Sequence, residues 1–255
     1  MIPNQYVDIQ QYGKGLSKGA TILLSMIEVL ESSGLYEKSV GIYVILLGNL
    51  YERSVVSNAL RTWPKVRVIY ESSDIYEYEW STLTRLRKYA HKASNATRIL
   101  YMHTKGSSRY IRYKDDPVPE AVDDWRNYMM YFLVERHDIC IRALTMLGYA
   151  TCGVLLKDAH MKRKSAAHYS GNFWWSSAGW VKTSGDMEKV NWEDATRHTT
   201  ETYILGSIIS SNEIERDHLC VHNLFHNMYQ YRTPRSSYIG DQIHINYGDH
   251  FANSN

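Results

Sequence analysis

The sequence predicts a single α/β domain built on a mostly parallel β-sheet with helices on its faces. Short apolar runs alternate with longer segments of helical periodicity through the first half of the chain, which is the pattern of βαβ units. No stretch rich in Pro, Gly or Ser divides the chain into separate parts. A length of 255 residues is enough to bury one sizeable core. We therefore expect one folded unit over residues 1–255.

Extended and helical segments are predicted in turn from the N-terminus onward. A first strand is expected near residue 6, and residues 17–33 form a helix with its apolar side chains on one face, ended by Gly34. The apolar run over residues 40–49 is typical of a strand buried on both faces. The later predicted elements are a helix over 52–61, a strand over 66–70, a helix over 79–92, a strand over 98–103, helices within 120–147, a strand over 151–156, and helices near 174–182 and 196–211.

Charge and composition argue against two classes of partner. The chain has 29 basic and 27 acidic side chains, a net charge of +2, which is too balanced to indicate nucleic acid or an anionic membrane. No apolar run is long enough to span a bilayer. Tyr and Trp are unusually frequent, with 21 and 7 residues, and their flat faces suit stacking on sugars or bases. A tyrosine-rich core and surface is the alternative interpretation.

The cysteines and the N-terminus indicate a cytoplasmic location. Cys140, Cys152 and Cys220 are odd in number and widely spaced, so no disulfide framework is expected and a reducing compartment fits best. The first ten residues, MIPNQYVDIQ, have neither the basic nor the apolar region of a signal peptide. We therefore expect the protein in the cytoplasm.

The stretch RILYMHTKG, residues 98–106, is the first candidate site. Its apolar half predicts a strand, and ligands of open α/β sheets bind outside the carboxyl ends of strands. Lys105 suits a phosphate, and His103 suits a phosphate or a metal ion. Gly106 would let the backbone approach a ligand closely. The alternative is a strand end that is followed by a basic loop.

The stretch HYSGNFWWSSAGW, residues 168–180, is the second candidate site. Gly171 and Asn172 predict a turn, and aromatic residues follow it directly. Trp174 and Trp175 would form a wall that stacks on a sugar ring, next to polar groups that bond its hydroxyls. Core packing of one helix face is the alternative.

Acidic and histidine side chains in predicted helices complete the set of candidates. Glu201 is a single carboxylate among Thr, Tyr and Ile, a setting that can raise a carboxyl pKa and suit a general base. An ordinary surface glutamate is the alternative. Asp124 lies near the start of a helix, where capping is the simpler role. His222 and His226 have the i, i+4 spacing of a helical metal site, although such a pair is more often structural.

Five stretches occur together between residues 33 and 175: SGLYEKSVGIYVILLGN, YEYEWSTLTRLRKYA, ILYMHTKG, VDDWRNYMMYFLVE and HYSGNFWW. This set resembles a family of GT-A-type glycosyltransferases found in large algal (chlorella-type) viruses, algae and bacteria. The pair LYMHTKG and SGNFWW is its most specific part. The resemblance implies a single GT-A-like domain with a Rossmann-like, mostly parallel central sheet. It also implies a nucleotide-sugar half over about residues 1–106, an acceptor half over about 107–230 and a tail over 231–255.

The resemblance implies that a nucleotide-sugar donor, with a UDP-sugar favoured, lies across the strand tips. Its base and ribose are then expected near the first strand and the segment around Asp74, and its diphosphate near the HTKG tip. The donor-binding residues are accordingly Asp74, Tyr78, Glu79, His103, Thr104, Lys105 and Gly106.

The HTKG tip departs from the usual GT-A pattern. Enzymes of this type typically carry two carboxylates there, in a DxD motif that holds a metal ion and the donor diphosphate. His103 and Lys105 occupy those two positions here. A lysine would neutralise the diphosphate directly. We therefore expect no required cofactor, with Mn²⁺ or Mg²⁺ as the alternative, held by His103 together with His222 or His226.

The resemblance also assigns the acceptor side of the reaction. Glu201 is the expected base and Asp124 the second choice, and inversion is favoured because a single base suffices. The expected reaction moves a hexosyl or pentosyl group to an oligosaccharide or glycan acceptor, in the host cytoplasm for a viral member. The rival interpretation is a non-catalytic module that binds carbohydrate or nucleotide sugar. The expected acceptor-binding residues are Gly171, Asn172, Trp174 and Trp175.

Overall fold

A computed structural model of the chain describes residues 17–107, 118–157, 167–184, 200–205, 218–220, 228 and 231–239. The strand predicted near residue 6 and most of the helix predicted over 196–211 lie outside these ranges. None of the helices in the described ranges has the length and apolarity needed to cross a membrane. The elements are α1 (Lys18–Ser32), α2 (Leu35–Lys38), β1 (Ile42–Leu47), α3 (Leu50–Leu60), β2 (Val66–Ser72), a 3-10 turn (Ile75–Glu77), α4 (Trp80–Lys92), β3 (Arg98–Tyr101), α5 (Val118–Met130), a π-helical turn (Tyr131–Glu135), α6 (His137–Met146), β4 (Thr151–Gly153), β5 (Leu156–Lys157), β6 (His168–Tyr169), β7 (Trp174–Ser177), α7 (Ala178–Thr183), β8 (His218–Cys220) and a 3-10 turn (Arg235–Ser237).

The first half contains the predicted βαβ unit. Strands β1 and β2 pair in parallel, with Ile42 opposite Val66, and α3 is the crossover between them. Asn49 begins α3 by accepting a hydrogen bond from the backbone N–H of Glu52 at 2.9 Å. The α/β class is therefore confirmed, and this unit places the carboxyl ends of two parallel strands at one edge of the fold.

The second sheet differs from the mostly parallel sheet that the sequence predicts. Its strand order is β3-β7-β4-β8, and β7 runs antiparallel to both of its neighbours. Only β4 and β8 are parallel in it. Among the described residues, β4 is followed by the short antiparallel pair β5–β6, and β7 comes directly after that pair. A single mostly parallel sheet is thus not what the described residues form.

Strand β7 replaces the first part of the helix predicted over 174–182. Trp174 and Trp175 face opposite sides of the sheet, as successive strand residues must. Trp175 belongs to the larger hydrophobic core, which contains residues from Ala20 to Tyr238. Trp174 belongs to a second core around α4 and α7. Because β7 is buried on both faces, its side chains show no alternation of apolar and polar residues, and the helix prediction over Trp174–Ser177 is wrong.

A disulfide joins α6 to β4, contrary to the expectation that the cysteines are unpaired. Cys140 and Cys152 are bonded, with their Cα atoms 5.4 Å apart and a sequence separation of 12. Both residues are fully buried in the larger core. Sequence spacing alone gave no sign of this pairing, because it depends on how α6 packs against β4.

Residues 231–239 pack against the domain, although residues 231–255 are predicted to be a tail. The side chain of Tyr238 is buried against the rings of Tyr128, Tyr131 and Phe132, at centroid distances of 5.3, 5.4 and 6.0 Å. Arg235 adds an ion pair with Glu135. The four aromatic rings bury apolar surface between this segment and the domain, and Arg235–Ser237 forms a 3-10 turn there.

The disulfide predicts that reduction lowers stability. Closing a loop of this length stabilises a fold by about 3 kcal/mol on the chain-entropy estimate. We expect the free energy of unfolding, measured by urea denaturation with and without dithiothreitol, to fall by about that amount on reduction. The Cys220→Ser variant is the control and should keep the same dependence. Finding three free thiols in the denatured, unreduced protein would contradict the pairing.

Candidate functional site

Polar side chains from four segments meet just beyond the carboxyl end of β3. The Nε2 atom of His103 lies 3.1 Å from the carbonyl oxygen of Gly171 and 3.4 Å from Oε1 of Glu79. Glu201 is close enough to influence the charge state of the same ring. The structure therefore brings together residues from the predicted donor, acceptor and base sets. We term the following residues the His103 cluster: Glu79, His103, Lys105, Gly171, Asn172 and Glu201.

Glu79 is the central carboxylate of the His103 cluster. It directly precedes α4, and its Oε2 accepts a hydrogen bond from the hydroxyl of Tyr101 at 3.2 Å. The same oxygen accepts a short hydrogen bond from the side-chain amide of Asn172. Burial, followed by the negative charge of Glu79, raises the pKa of Tyr101 well above its ordinary value. Tyr101 is thus a permanent donor that fixes the Glu79 carboxylate.

The turn at Gly171 and Asn172 positions the rest of the His103 cluster. Both residues have left-handed backbone, with φ of 98° at Gly171 and 57° at Asn172. The Asn172 amide donates to Glu79 and to the Thr200 carbonyl oxygen, and its Oδ1 accepts the indole N–H of Trp174. With 1% exposure and these bonds, Asn172 positions other groups and does not reach an acceptor hydroxyl, contrary to its predicted role.

Lys105 is the buried lysine of the His103 cluster. Only 7% of the residue is exposed, and its Nζ lies 3.9 Å from the centre of the Trp125 ring. Its carbonyl oxygen accepts a hydrogen bond from Arg126 at 2.9 Å. A cation over an indole face that is shielded from water is stabilised by roughly 2 kcal/mol. The Lys105 side chain is therefore held at the strand tip by an aromatic ring.

The surroundings of His103 favour the neutral form of its imidazole by lowering its pKa. Burial is the main cause that lowers its pKa below the ordinary value of 6.5, and the ammonium of Lys105 lowers it further. Glu79 and Glu201 oppose this by favouring the charged ring, without reversing the shift. A neutral imidazole offers no positive charge to a phosphate.

Thr104 and Gly106 have local roles. The Thr104 hydroxyl donates to the Ser107 hydroxyl at 3.5 Å. Gly106 has a φ of 93°, and a Cβ there would lie 2.8 Å from Cγ1 of Val122. Gly106 thus permits a close approach to α5 in this structure, whereas the sequence predicts a close approach to a ligand.

A cavity of about 370 Å³ lies beside the segment that leads into α4. Asp74 is exposed and accepts the backbone N–H of Tyr76 at 2.8 Å, which begins the 3-10 turn. Tyr78 is 40% exposed and lies edge-on to Tyr76. The predicted donor residues Asp74 and Tyr78 therefore lie at or next to an open cavity. Its lining residues are Asp74, Tyr76, Glu77, Trp80, Ser81, Thr84 and Arg85.

Trp174 and Trp175 form no exposed wall. Their exposed fractions are 0% and 5%, and Trp174 stacks on Tyr101 with ring centroids 5.0 Å apart. The Trp175 indole donates to the Leu133 carbonyl oxygen at 2.8 Å. Neither ring offers a free face to a sugar, so the core-packing alternative describes their surroundings and the stacking interpretation is corrected.

Asp124 lies apart from the His103 cluster in an ion pair. Its Oδ2 accepts from Nε of Arg232 at 2.5 Å and from the backbone N–H of Thr233 at 3.0 Å. These contacts attach the segment 231–239 to α5. Asp124 is thus engaged in a structural contact, which leaves Glu201 as the predicted base that is found in the cluster.

Metal ligands are not grouped in the part of the chain that the structure describes. No set of three or more His, Cys, Asp or Glu side chains is arranged there to hold an ion. His222 and His226, the predicted partners of His103 in the alternative metal site, lie outside the described residues.

The sequence predicts no site role for Tyr101, and it predicts that Gly171 binds the acceptor rather than contacting His103. Tyr101 precedes His103 by two residues, so strand alternation places both on one face, and their rings stack at 6.3 Å. This signal was available in the sequence. The hydrogen bond from His103 to the Gly171 carbonyl joins residues 68 positions apart, so no local sequence pattern indicates it.

Residues 9–208 match a family described as a domain of unknown function, DUF8361. The chain belongs to the DUF8361 family. The match covers every member of the His103 cluster and the cavity beside α4, and it ends before the segment 231–239. No curated protein and no solved structure matches the chain.

The turn predicts a strict need for glycine at residue 171. A Cβ there would lie 2.5 Å from Sδ of the buried Met129 and 3.1 Å from Nε1 of Trp125, in addition to its positive φ. Gly171→Ala should therefore lower the free energy of unfolding by about 2–5 kcal/mol, combining strain and overpacking. Gly148→Ala is the matched control, because Gly148 also has a positive φ but open space around it; it should cost about 1 kcal/mol. Equal losses in both variants, measured by denaturation, would show that the contact with Met129 does not matter.

Proposed function

We propose that this chain is a glycosyltransferase that moves a sugar from a nucleotide-sugar donor to a carbohydrate acceptor with inversion of configuration. The observation that carries the proposal is the His103 cluster, in which an imidazole, two carboxylates and a buried ammonium meet at the end of β3. Sugar transfer needs a cationic environment for a diphosphate leaving group and a base for the acceptor hydroxyl, and the cluster contains both. A GT-A-like arrangement with a Rossmann-like donor half is part of this proposal.

The donor nucleoside is assigned to the cavity beside α4. The cavity follows β2, the second strand of the parallel βαβ unit, and ligands of such units lie beyond the strand ends. Its walls offer carboxylates from Asp74 and Glu77 for ribose hydroxyls and the ring of Tyr76 for stacking on a base. The donor is a UDP-sugar by preference, on the basis of the family resemblance.

The diphosphate is assigned to the strand tip at Lys105. Glu79, which contacts His103, lies in sequence between Glu77 and Trp80 of the cavity wall, and we place the donor along this segment. The ammonium of Lys105 is sheltered from water by Trp125, and a preorganised charge in such a setting stabilises a developing anion without reorganisation. A fixed cation of this kind would take the part that a metal ion plays in DxD enzymes.

The acceptor must be bound by groups other than Trp174 and Trp175, because both rings are buried. Tyr78 is 40% exposed next to the cavity and provides an aromatic side chain for an acceptor sugar. The proton of the acceptor hydroxyl has two candidate destinations in the cluster, Glu201 and His103. Asp124 is not one of them, because Arg232 and Thr233 hold its carboxylate.

The direct test is turnover of nucleotide-sugar donors. We expect one sugar among UDP-, GDP- and dTDP-linked donors to raise the melting temperature and to be consumed when a mixed panel of glycan acceptors is added. Proton NMR of the product should show the opposite anomeric configuration to the donor. Binding of a donor without any transfer or hydrolysis would indicate a non-catalytic binding module, and no binding at all would remove the proposal.

Because Lys105 is proposed to supply the positive charge at the diphosphate, we predict that the donor binds without a metal ion. Lys105→Met keeps a side chain over Trp125 and removes the charge, so it should weaken donor binding by about 1.5–3 kcal/mol, as for a lost charge-assisted hydrogen bond. Lys92→Met is the control, because Lys92 is exposed at the end of α4. Titration calorimetry of the wild type should give the same affinity in EDTA and in Mn²⁺. Loss of binding in EDTA that Mn²⁺ restores would contradict the role of Lys105 as the main charge.

A further inference from the structure

The hydrogen bonds of His103 determine where its proton lies. A carbonyl oxygen only accepts hydrogen bonds, so the Nε2 atom, 3.1 Å from the Gly171 oxygen, must carry a hydrogen. The Glu79 carboxylate, 3.4 Å from the same nitrogen, favours the same assignment. A neutral imidazole has one N–H, and therefore Nδ1 carries a lone pair.

The Nδ1 atom is the reactive position of this ring. No hydrogen bond joins Nδ1 to any of the residues that the structure describes, and 22% of the side chain is exposed. Tyr101 and Phe173 contact the ring through their aromatic faces and edges, at 6.3 and 5.3 Å, and do not occupy its nitrogens. An oriented imidazole whose second nitrogen has no hydrogen-bond partner among the described residues has the form of a general base.

We propose, on the basis of the proposed function, that His103 is the general base of sugar transfer and that Glu79 is the residue that positions it. The acceptor hydroxyl gives its proton to Nδ1 as its oxygen forms a bond to C1 of the donor sugar. The bond from C1 to the diphosphate oxygen breaks, and the nucleoside diphosphate leaves with that electron pair. The imidazolium then loses its proton to solvent.

The charges around the ring fit this role. Glu79 and Glu201 both favour the imidazolium that forms during transfer, and Glu79 is itself fixed by Tyr101 and Asn172. Lys105 opposes the positive ring, which keeps it neutral before the acceptor binds. The group order carboxylate, imidazole, hydroxyl is that of other enzymes in which a carboxylate orients a histidine base.

The same assignment argues against a phosphate contact at Nδ1. A phosphate oxygen and a lone pair on nitrogen are both acceptors and cannot form a hydrogen bond with each other. A phosphate role would require a protonated ring, whereas burial and Lys105 keep the pKa of His103 below its ordinary value. The predicted diphosphate contact of His103 is thus replaced by a role in proton transfer.

The central experiment is His103→Gln. The glutamine amide N–H can still donate to the Gly171 carbonyl, but it has no basic nitrogen. We expect kcat to fall by about 10²–10⁴-fold while donor affinity and melting temperature stay close to wild type. His91→Gln, at an exposed position on α4, is the control and should be as active as wild type.

Glu79→Gln separates positioning from a merely structural role. In the wild type, kcat/KM should fall as His103 becomes protonated, below pH 6.5 because its pKa is lowered. Removing the Glu79 charge lowers the pKa of His103 further, so the acid limb of the profile should move to lower pH as activity decreases by about 10-fold or more. Lys105, Glu201 and Tyr101 are unchanged in this variant. An unmoved acid limb would show that Glu79 does not act through His103.

Nitrogen-15 NMR of the histidine ring gives a readout that is independent of turnover. It should show Nε2 protonated and Nδ1 unprotonated at pH 7, and it decides the matter if His103→Gln does not fold. A ring protonated on Nδ1 overturns the proposal. So does full transfer activity in His103→Gln, which would leave the proposed function intact and assign the base to Glu201. A wild-type protein that transfers no sugar from any donor would overturn both.

Discussion

The left-handed backbone at Gly171 and Asn172 is the constraint on which both the fold and the site depend. It directs the Gly171 carbonyl to His103 and the Asn172 amide to Glu79 and Thr200. It also begins β7, the strand that separates the two cores. The Asn172 conformation costs about 1 kcal/mol or more, and the hydrogen bonds of its buried amide offset that cost because each would be expensive to leave unmade.

Glu79 and His103 are more exposed than the residues that hold them. Glu79 and His103 are each about one-fifth exposed, while the groups that hold them, Tyr101, Asn172 and Gly171, lie in or against the core. A buried polar network of this kind is stable only when every member is satisfied, and such a network holds its members in one geometry. The buried hydrogen bonds of Tyr101 and Asn172 therefore hold Glu79 in one position beside His103.

The sequence was informative where structure is local. The βαβ unit, α4 and β3 follow from periodicity and apolar runs, and the tip after β3 was located from the rule for strand ends. The sequence predicts a helix where β7 lies. Trp174 and Trp175 are buried on opposite faces of β7, so the strand lacks the alternation of apolar and polar residues that marks a half-buried strand. The contact between Glu79 and His103 could not be predicted from the sequence either. The two residues are 24 positions apart, and a turn some 70 residues further along completes their geometry.

The segment 231–239 has a consequence for where the folded unit ends. The family match stops at residue 208, yet Tyr238 covers the rings of Tyr128, Tyr131 and Phe132, and Arg232 bonds to Asp124. A chain cut at the family boundary would expose a cluster of aromatic rings together with an unpaired carboxylate on α5. Exposed apolar patches of this kind promote association between molecules. Residues 231–239 thus shield the rings of Tyr128, Tyr131 and Phe132, and any expressed form of the domain should include them.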